Sequence, residues 1–154
     1  MIEIIENYVD ERFEDEVLKL VPKRTRVHQH RNQILRWGSR VPYDNFIVSE
    51  KIPPVFDIFR KDIEFDSVTV NEYLAGQKID WHIDAPKAGN VIYVVSLLSS
   101  AAMMFRKDNN EVYHGMPRYS LTKFWGELRN EWEHSVVCQN RRISIVLRNS
   151  KEIK

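Results

Sequence analysis

The sequence predicts a mainly β protein of barrel or sandwich type behind a short helical front. Two observations carry this. Helical spacing of apolar residues is confined to the stretch before residue 65, and beyond it the period falls to two. The second half then runs through six short β-branched or aromatic segments, separated by Gly, Pro or Asn-rich breaks. Strands in unbroken succession point to a sheet closed or folded on itself rather than to βαβ units.

Residues 10–20, DERFEDEVLKL, set Phe13, Val17, Leu18 and Leu20 at roughly helical spacing, with Pro22 after the stop. Residues 53–63, PPVFDIFRKDI, read as a second short helix whose prolines suit a helix start. The strands SVTVNEY, VIYVVSLL, AAMMF, SLTKFW, HSVVC and RISIVLR follow. A chain of 154 residues suits one core, so one domain over 1–154 is expected, about 1–65 as the front and about 66–149 as the β core. A hydrophobic share of 43% with 29% charged residues suits a folded chain, and the net charge of +1 names no partner. Cys138 is the only cysteine, which excludes an internal disulfide and favours a reducing compartment. The acidic start MIEIIENYVDERFEDE does not read as a signal peptide, and no apolar run reaches membrane-span length. A soluble cytoplasmic protein with no membrane partner is expected.

His82 and Asp84 stand one residue apart, so on a strand both side chains would face one way. His134 heads a later strand. Two imidazoles and one carboxylate on one side of an ion leave the opposite positions open, as in the facial triad of non-haem Fe(II) oxygenases. Zinc also accepts His and Asp, so the triad alone does not choose the metal.

The last strand bears on that choice. Ile143, Ile145 and Leu147 alternate with Arg142, Ser144, Val146 and Arg148, giving one apolar face and one face with two arginines. The face is either a solvated edge or the lining of a barrel. The strand follows the His134 strand after a tight break at Gln139–Asn140, so the two are expected to pair and to look into the same interior. A buried guanidinium needs an anion, and a dicarboxylate that chelates the metal at one end would meet it at the other. Asn71 and Tyr73 share a face just before the metal strand and offer hydrogen bonds to such a ligand.

In order, Asn71-x-Tyr73-x-x-Gly76, His82-x-Asp84, His134 and Arg142-x5-Arg148 resemble the AlkB family of Fe(II)- and 2-oxoglutarate-dependent dioxygenases. The resemblance covers about residues 25–149, including Val95–Ser99, Pro117–Leu121 and Trp125–His134. It implies a double-stranded β-helix (jelly-roll) core with short N-terminal helices. It further implies Fe(II) held by the catalytic residues His82, Asp84 and His134, and 2-oxoglutarate held by Asn71, Tyr73, Arg142, Ser144 and Arg148. The implied activity is oxidative removal of N-linked methyl groups from DNA or RNA bases, lost as formaldehyde. Two departures bear on the substrate: Pro86 stands where the founding enzyme has an acid that reads the base, and few residues precede the core to form a lid.

Between Lys19 and Arg40 seven basic residues occur with no acid among them. This run reads either as a solvated helix end and loop or as a phosphate-binding surface. In the second reading Arg24, Arg26 and Arg31 hold a nucleic acid, single-stranded by preference, and Trp37 or Tyr43 stacks on the base. Residues 31–44, RNQILRWGSRVPYD, resemble the family's lid. Trp81 is expected in the core, His28 and His30 in a solvated loop, and His114 in a turn. Two other functions stay open: the same chemistry on a protein side chain or small molecule, and a non-enzymatic metal-binding jelly-roll module.

Overall fold

Asp10 accepts a hydrogen bond from the Phe13 amide at 2.9 Å, and this cap starts helix α1, Glu11–Leu18. A 3-10 helix over Pro54–Lys61 carries proline in its first turn, where no amide donor is missed. The computed structural model describes residues 1–23, 33–39, 47–49 and 51–152. In chain order its strands are β1 (Ile2–Ile5), β2 (Gln33–Gly38), β3 (Ile47–Ser49), β4 (Ser67–Tyr73), β5 (Lys78–His82) and β6 (Val91–Leu97). Then come β7 (Ala101–Lys107), β8 (Asn110–Met116), β9 (Leu121–Trp125), helix α2 (Gly126–Asn130), β10 (Glu133–Val137) and β11 (Arg142–Arg148). Among the described residues no helix is long and apolar enough to cross a membrane.

The strands form two sheets, in the orders β1-β9-β6-β11-β4-β2-β3 and β5-β10-β7-β8. All pairings are antiparallel except that of β2 with β3. This is the expected jelly roll, mainly β with few helices.

Period-two alternation gives the large sheet two buried faces. Ile143, Ile145 and Leu147 of β11 cluster with Val68, Val70, Val95 and Leu97 of its neighbours. The same cluster takes in Phe13 and Val17 of α1, and Phe56 and Phe59 of the 3-10 helix. Phe13 meets Phe59 edge to face, with ring centroids 5.2 Å apart. The opposite face joins the small sheet in a second cluster: Tyr73, Ile92, Val94, Phe124 and Val146 with Met103, Phe105 and Val136. The functional site lies between the sheets, while the helices brace the large sheet from behind.

Three expectations are corrected. Strands β10 and β11 do not pair: β10 lies between β5 and β7, and β11 between β4 and β6. The chain changes sheets at residues 138–141, so the two strands face each other across the interior instead of lying side by side. The front is less helical than expected, because β1, β2 and β3 all extend the large sheet. Segment 33–38, within the expected lid, is strand β2 along the edge of β4.

Candidate metal centre and cosubstrate pocket

The cavity between the sheets opens to solvent and is lined by side chains of both. His82 closes β5 and is the cross-strand partner of His134 on β10, which sets their rings 4.2 Å apart. Asp84 lies just past the end of β5, not on the strand as the spacing suggested, yet its carboxylate turns to the same point. Its Oδ1 is 3.2 Å from His82 Nε2 and 3.5 Å from His134 Nε2. Ligand atoms bound about 2.1 Å from one ion and at right angles stand about 3.0 Å apart, so this spacing fits a metal centre. The three donors lie within 4.8 Å of one another.

The surroundings suit each donor to a cation. His82 Nδ1 lies 2.8 Å from the Asp80 carbonyl oxygen. A carbonyl only accepts, so this hydrogen bond puts the proton on Nδ1 and leaves the Nε2 lone pair to the centre. In the metal-free chain Asp84 draws a proton to Nε2, and this hydrogen bond outweighs desolvation and raises the His82 pKa, so an ion takes Nε2 by displacing that proton. Burial pushes that of His134 down to about 4, which keeps its imidazole neutral. Burial opposes charge on Asp84 as well, but Arg148 and the two imidazoles prevail and hold its carboxyl well below the usual range. Arg148 binds the other oxygen, Oδ2, through Nε at 2.9 Å and Nη2 at 2.8 Å. The carboxylate is thus divided, Oδ2 to the arginine and Oδ1 to the centre.

The far end of the cavity is polar and cationic. Arg142 is 1% exposed; its Nη2 donates to Ser96 Oγ at 2.9 Å, and its buried Nε has no partner. Among the described residues no carboxylate pairs with it, and burial lowers its pKa. The β11–β4 register sets Tyr73 opposite Arg142 and Asn71 opposite Ser144, with Asn71 Nδ2 3.5 Å from Ser144 Oγ. Burial pushes the Tyr73 hydroxyl pKa up, so it remains a donor. Ile92, Val94, Met103 and Phe124 supply an apolar lining.

The structure therefore brings together in one cavity His82, Asp84, His134, Asn71, Tyr73, Arg142, Ser144 and Arg148. Trp37 is elsewhere: it is 6% exposed, sits in the outer core and lies 5.7 Å from the Phe56 ring, so no face remains for a base. Arg24, Arg26, Arg31, Tyr43, His28 and His30 lie outside the described residues. Trp81 is half-buried under the Arg106 guanidinium at 4.2 Å, not in the core. His114 is on β8, where its ring meets Phe105 edge-on, not in a turn. Two polar residues of the site were not anticipated. Ser96 had a signal, as a lone hydroxyl in the apolar run VIYVVSLL; Arg129, which reaches the Asp84 backbone, lies in the resembling segment Trp125–His134, where nothing marked it out.

A jelly roll with two imidazoles and one carboxylate on an ion-sized point, and a buried cation at the far end of the same cavity, defines a facial-triad metalloprotein with an anionic cosubstrate. The family model described as the 2OG-Fe(II) oxygenase superfamily matches residues 6–150. Over 76 residues, 48% of this chain, there is 38% identity to the tRNA (carboxymethyluridine(34)-5-O)-methyltransferase ALKBH8 of Macaca fascicularis. The chain spans 11% of that protein's length. Two solved structures share the fold. OsALKBH1 aligns with a TM-score of 0.69 at 13% identity, over 96% of this chain and 97% of that one. The viral collagen prolyl hydroxylase vCPH from Paramecium Bursaria Chlorella virus-1, solved with 2OG, aligns with a TM-score of 0.64 at 14% identity, over 96% and 93%. The chain belongs to the 2OG-Fe(II) oxygenase superfamily. Fe(II) and 2-oxoglutarate are the cofactor and cosubstrate that this membership brings.

The electrostatics generate a pH prediction for the metal-free protein. The folded pKa of His134 lies below its ordinary 6.5, so the unfolded chain takes up a proton that the folded chain refuses. The stability that the neutral ring confers is present above pH 6.5 and is lost as pH falls toward about 4. His134→Gln should therefore lose less stability than the parent over that interval. Denaturant midpoints at a series of pH values check this, and parallel curves would contradict it.

Proposed function

We propose that the chain is a 2-oxoglutarate-dependent dioxygenase that removes N-linked alkyl groups from nucleic-acid bases. His82, Asp84 and His134 hold Fe(II), and Arg142 takes the distal carboxylate of 2-oxoglutarate. The observation that carries this reading is Arg142 itself, a guanidinium 1% exposed, without a carboxylate among the described residues, in the same cavity as the triad. Such a group is costly to bury unless a ligand supplies the anion.

When bound, Fe(II) and 2-oxoglutarate couple decarboxylation of the cosubstrate and reduction of dioxygen to oxidation of a substrate C–H bond. The residues orient and insulate this chemistry. Asp80 fixes the His82 tautomer, and Arg148 occupies Oδ2 of Asp84 so that Oδ1 serves the ion. Tyr73, Asn71 and Ser144 offer hydrogen bonds beside Arg142, while Ile92, Val94, Met103 and Phe124 exclude water from the reacting end.

A nucleic-acid substrate is supported by the similarity to ALKBH8, whose name gives tRNA as its substrate, and by the basic run Lys19–Arg40. Single strands are favoured, because a base must leave its stack to enter a cavity between two sheets. Arg24, Arg26 and Arg31 are the phosphate contacts in this reading, with Tyr43 left as the aromatic cover once Trp37 is assigned to the core.

Two outcomes follow. Arg142→Met keeps volume but removes the charge; the lost charge-assisted pair, about 1.5–3 kcal/mol, should raise the 2-oxoglutarate KM roughly ten- to hundredfold. The same change should leave the metal-free protein at least as stable, because it removes a poorly paired buried cation. Succinate release against cosubstrate concentration, with a denaturant titration, checks both halves; an unchanged KM returns Arg142 to a structural role. For the substrate, a panel of N-methylated oligonucleotides incubated with Fe(II), 2-oxoglutarate and ascorbate should lose one methyl from at least one single-stranded member by mass. Succinate release with no methyl lost from any member would move the substrate to a protein side chain or small molecule.

A further inference from the structure

Asp84 is held from two sides, and one holder has no place in the cofactor pocket. Arg129, on α2, is 1% exposed. Its Nη1 donates to the Asp84 carbonyl at 3.0 Å, its Nη2 to the Ala85 carbonyl at 2.8 Å and its Nε to the Gly89 carbonyl at 3.0 Å. These bonds gather the start and the end of the loop that leaves the carboxylate. Gly89 is also confined from the other direction: its φ is +105°, and an added Cβ would stand 2.7 Å from the Asn149 carbonyl oxygen. Asn149 directly follows Arg148, which holds the Asp84 carboxylate. Helix α2 ends shortly before β10 and His134. The loop that carries Asp84 is thus clamped between the segments that carry Arg148 and His134.

We propose that Arg129 is a positioning residue of the metal centre, fixing the Asp84 backbone and through it the direction of Oδ1, without touching the ion. The inference rests on reading His82, Asp84 and His134 as the metal ligands. Arginine suits the task because its rigid planar fork presents five N–H donors and serves several carbonyls at once. A lysine ammonium is a compact point charge and reaches fewer of them in one geometry. Carbonyls released from the fork draw on other donors and carry Asp84 with them. Loss of a partner that orients a ligand typically lowers metal affinity about 10–100-fold.

The test is Co(II) titration of the full chain, following the ligand-field absorption, beside denaturant midpoints of the metal-free proteins. The parent, Arg129→Lys and Arg118→Ala are compared. Arg118 pairs with the buried Glu14, outside the cavity, and controls for general loss of stability. Arg129→Lys should weaken Co(II) binding about 10–100-fold and alter the absorption. Arg118→Ala should leave both unchanged at a comparable fall in midpoint. In an Asp84→Ala background the lysine should cost no further affinity, because the residue acts through Asp84. Parent-like affinity and spectrum in Arg129→Lys would overturn the proposal, as would its full penalty in the Asp84→Ala background. A lysine chain that cannot fold would also overturn it, since the residue would then serve the fold and not the ligand. A parent that takes up no Co(II) would sink the ligand assignment instead, and that is known before any variant is read.

Discussion

Strand β11 obliges two opposed environments to lie one side chain apart. Ile143, Ile145 and Leu147 are 0% exposed in the outer core, while Arg142, Ser144 and Arg148 line the cavity on the other face. A slip of one residue in register would send the arginines into the apolar cluster and the isoleucines into the site. Both neighbours of β11 are antiparallel and in continuous register, β4 over seven pairs and β6 over five, and no edge is left at which the strand could slide. The rest of the site depends on this placement. Tyr73 and Asn71 meet the polar face only because β4 is paired at that register, and Ser96 reaches Arg142 from β6 in the same way.

The two arginines divide the electrostatic task. Arg148 meets a carboxylate within the protein, and by taking one oxygen of Asp84 it keeps that carboxylate ionised despite burial. Among the described residues the partners of Arg142 are hydroxyl and sulfur groups, Ser96, Met116 and Cys138, and burial without an anion weakens its hold on its proton. Stability alone gives no reason for a cation there, since an apolar residue of equal volume would serve the core better. A position that disobeys the packing rules in an otherwise consistent fold is where function is to be sought. The two histidines differ in the same sense: His134 is kept neutral by burial, and His82, 37% exposed at the mouth, is drawn toward its charged form by Asp84.

Much of this was legible in the residues because alternation on a strand converts sequence spacing directly into facing. All six β segments read from 67 onward are strands, and the eight residues assigned to metal and cosubstrate share one cavity. What failed was non-local. The break at 139–140 looks like a hairpin, but nothing in a single chain distinguishes a hairpin from a crossover between sheets. Trp37 beside a basic run suggested stacking on a base, whereas the register of β2 on β4 turns its ring toward Phe56. Arg129 lies within the segment Trp125–His134, whose spacing gives it no role, and only the fold brings three carbonyls to it. Strand β5 ends at His82, so the convergence of Asp84 comes from the loop that follows and not from strand alternation.

The central claim is that one cavity holds a metal at its triad end and a dicarboxylate at its Arg142 end. A crystal structure of the chain with Mn(II) and 2-oxoglutarate, prepared without oxygen, tests this most directly. The account predicts the ion on Nε2 of His82, Oδ1 of Asp84 and Nε2 of His134, Arg148 still on Oδ2 of Asp84, and the distal carboxylate paired with Arg142. An ion bound elsewhere, or a 2-oxoglutarate whose distal carboxylate leaves Arg142 without an anion, would contradict it.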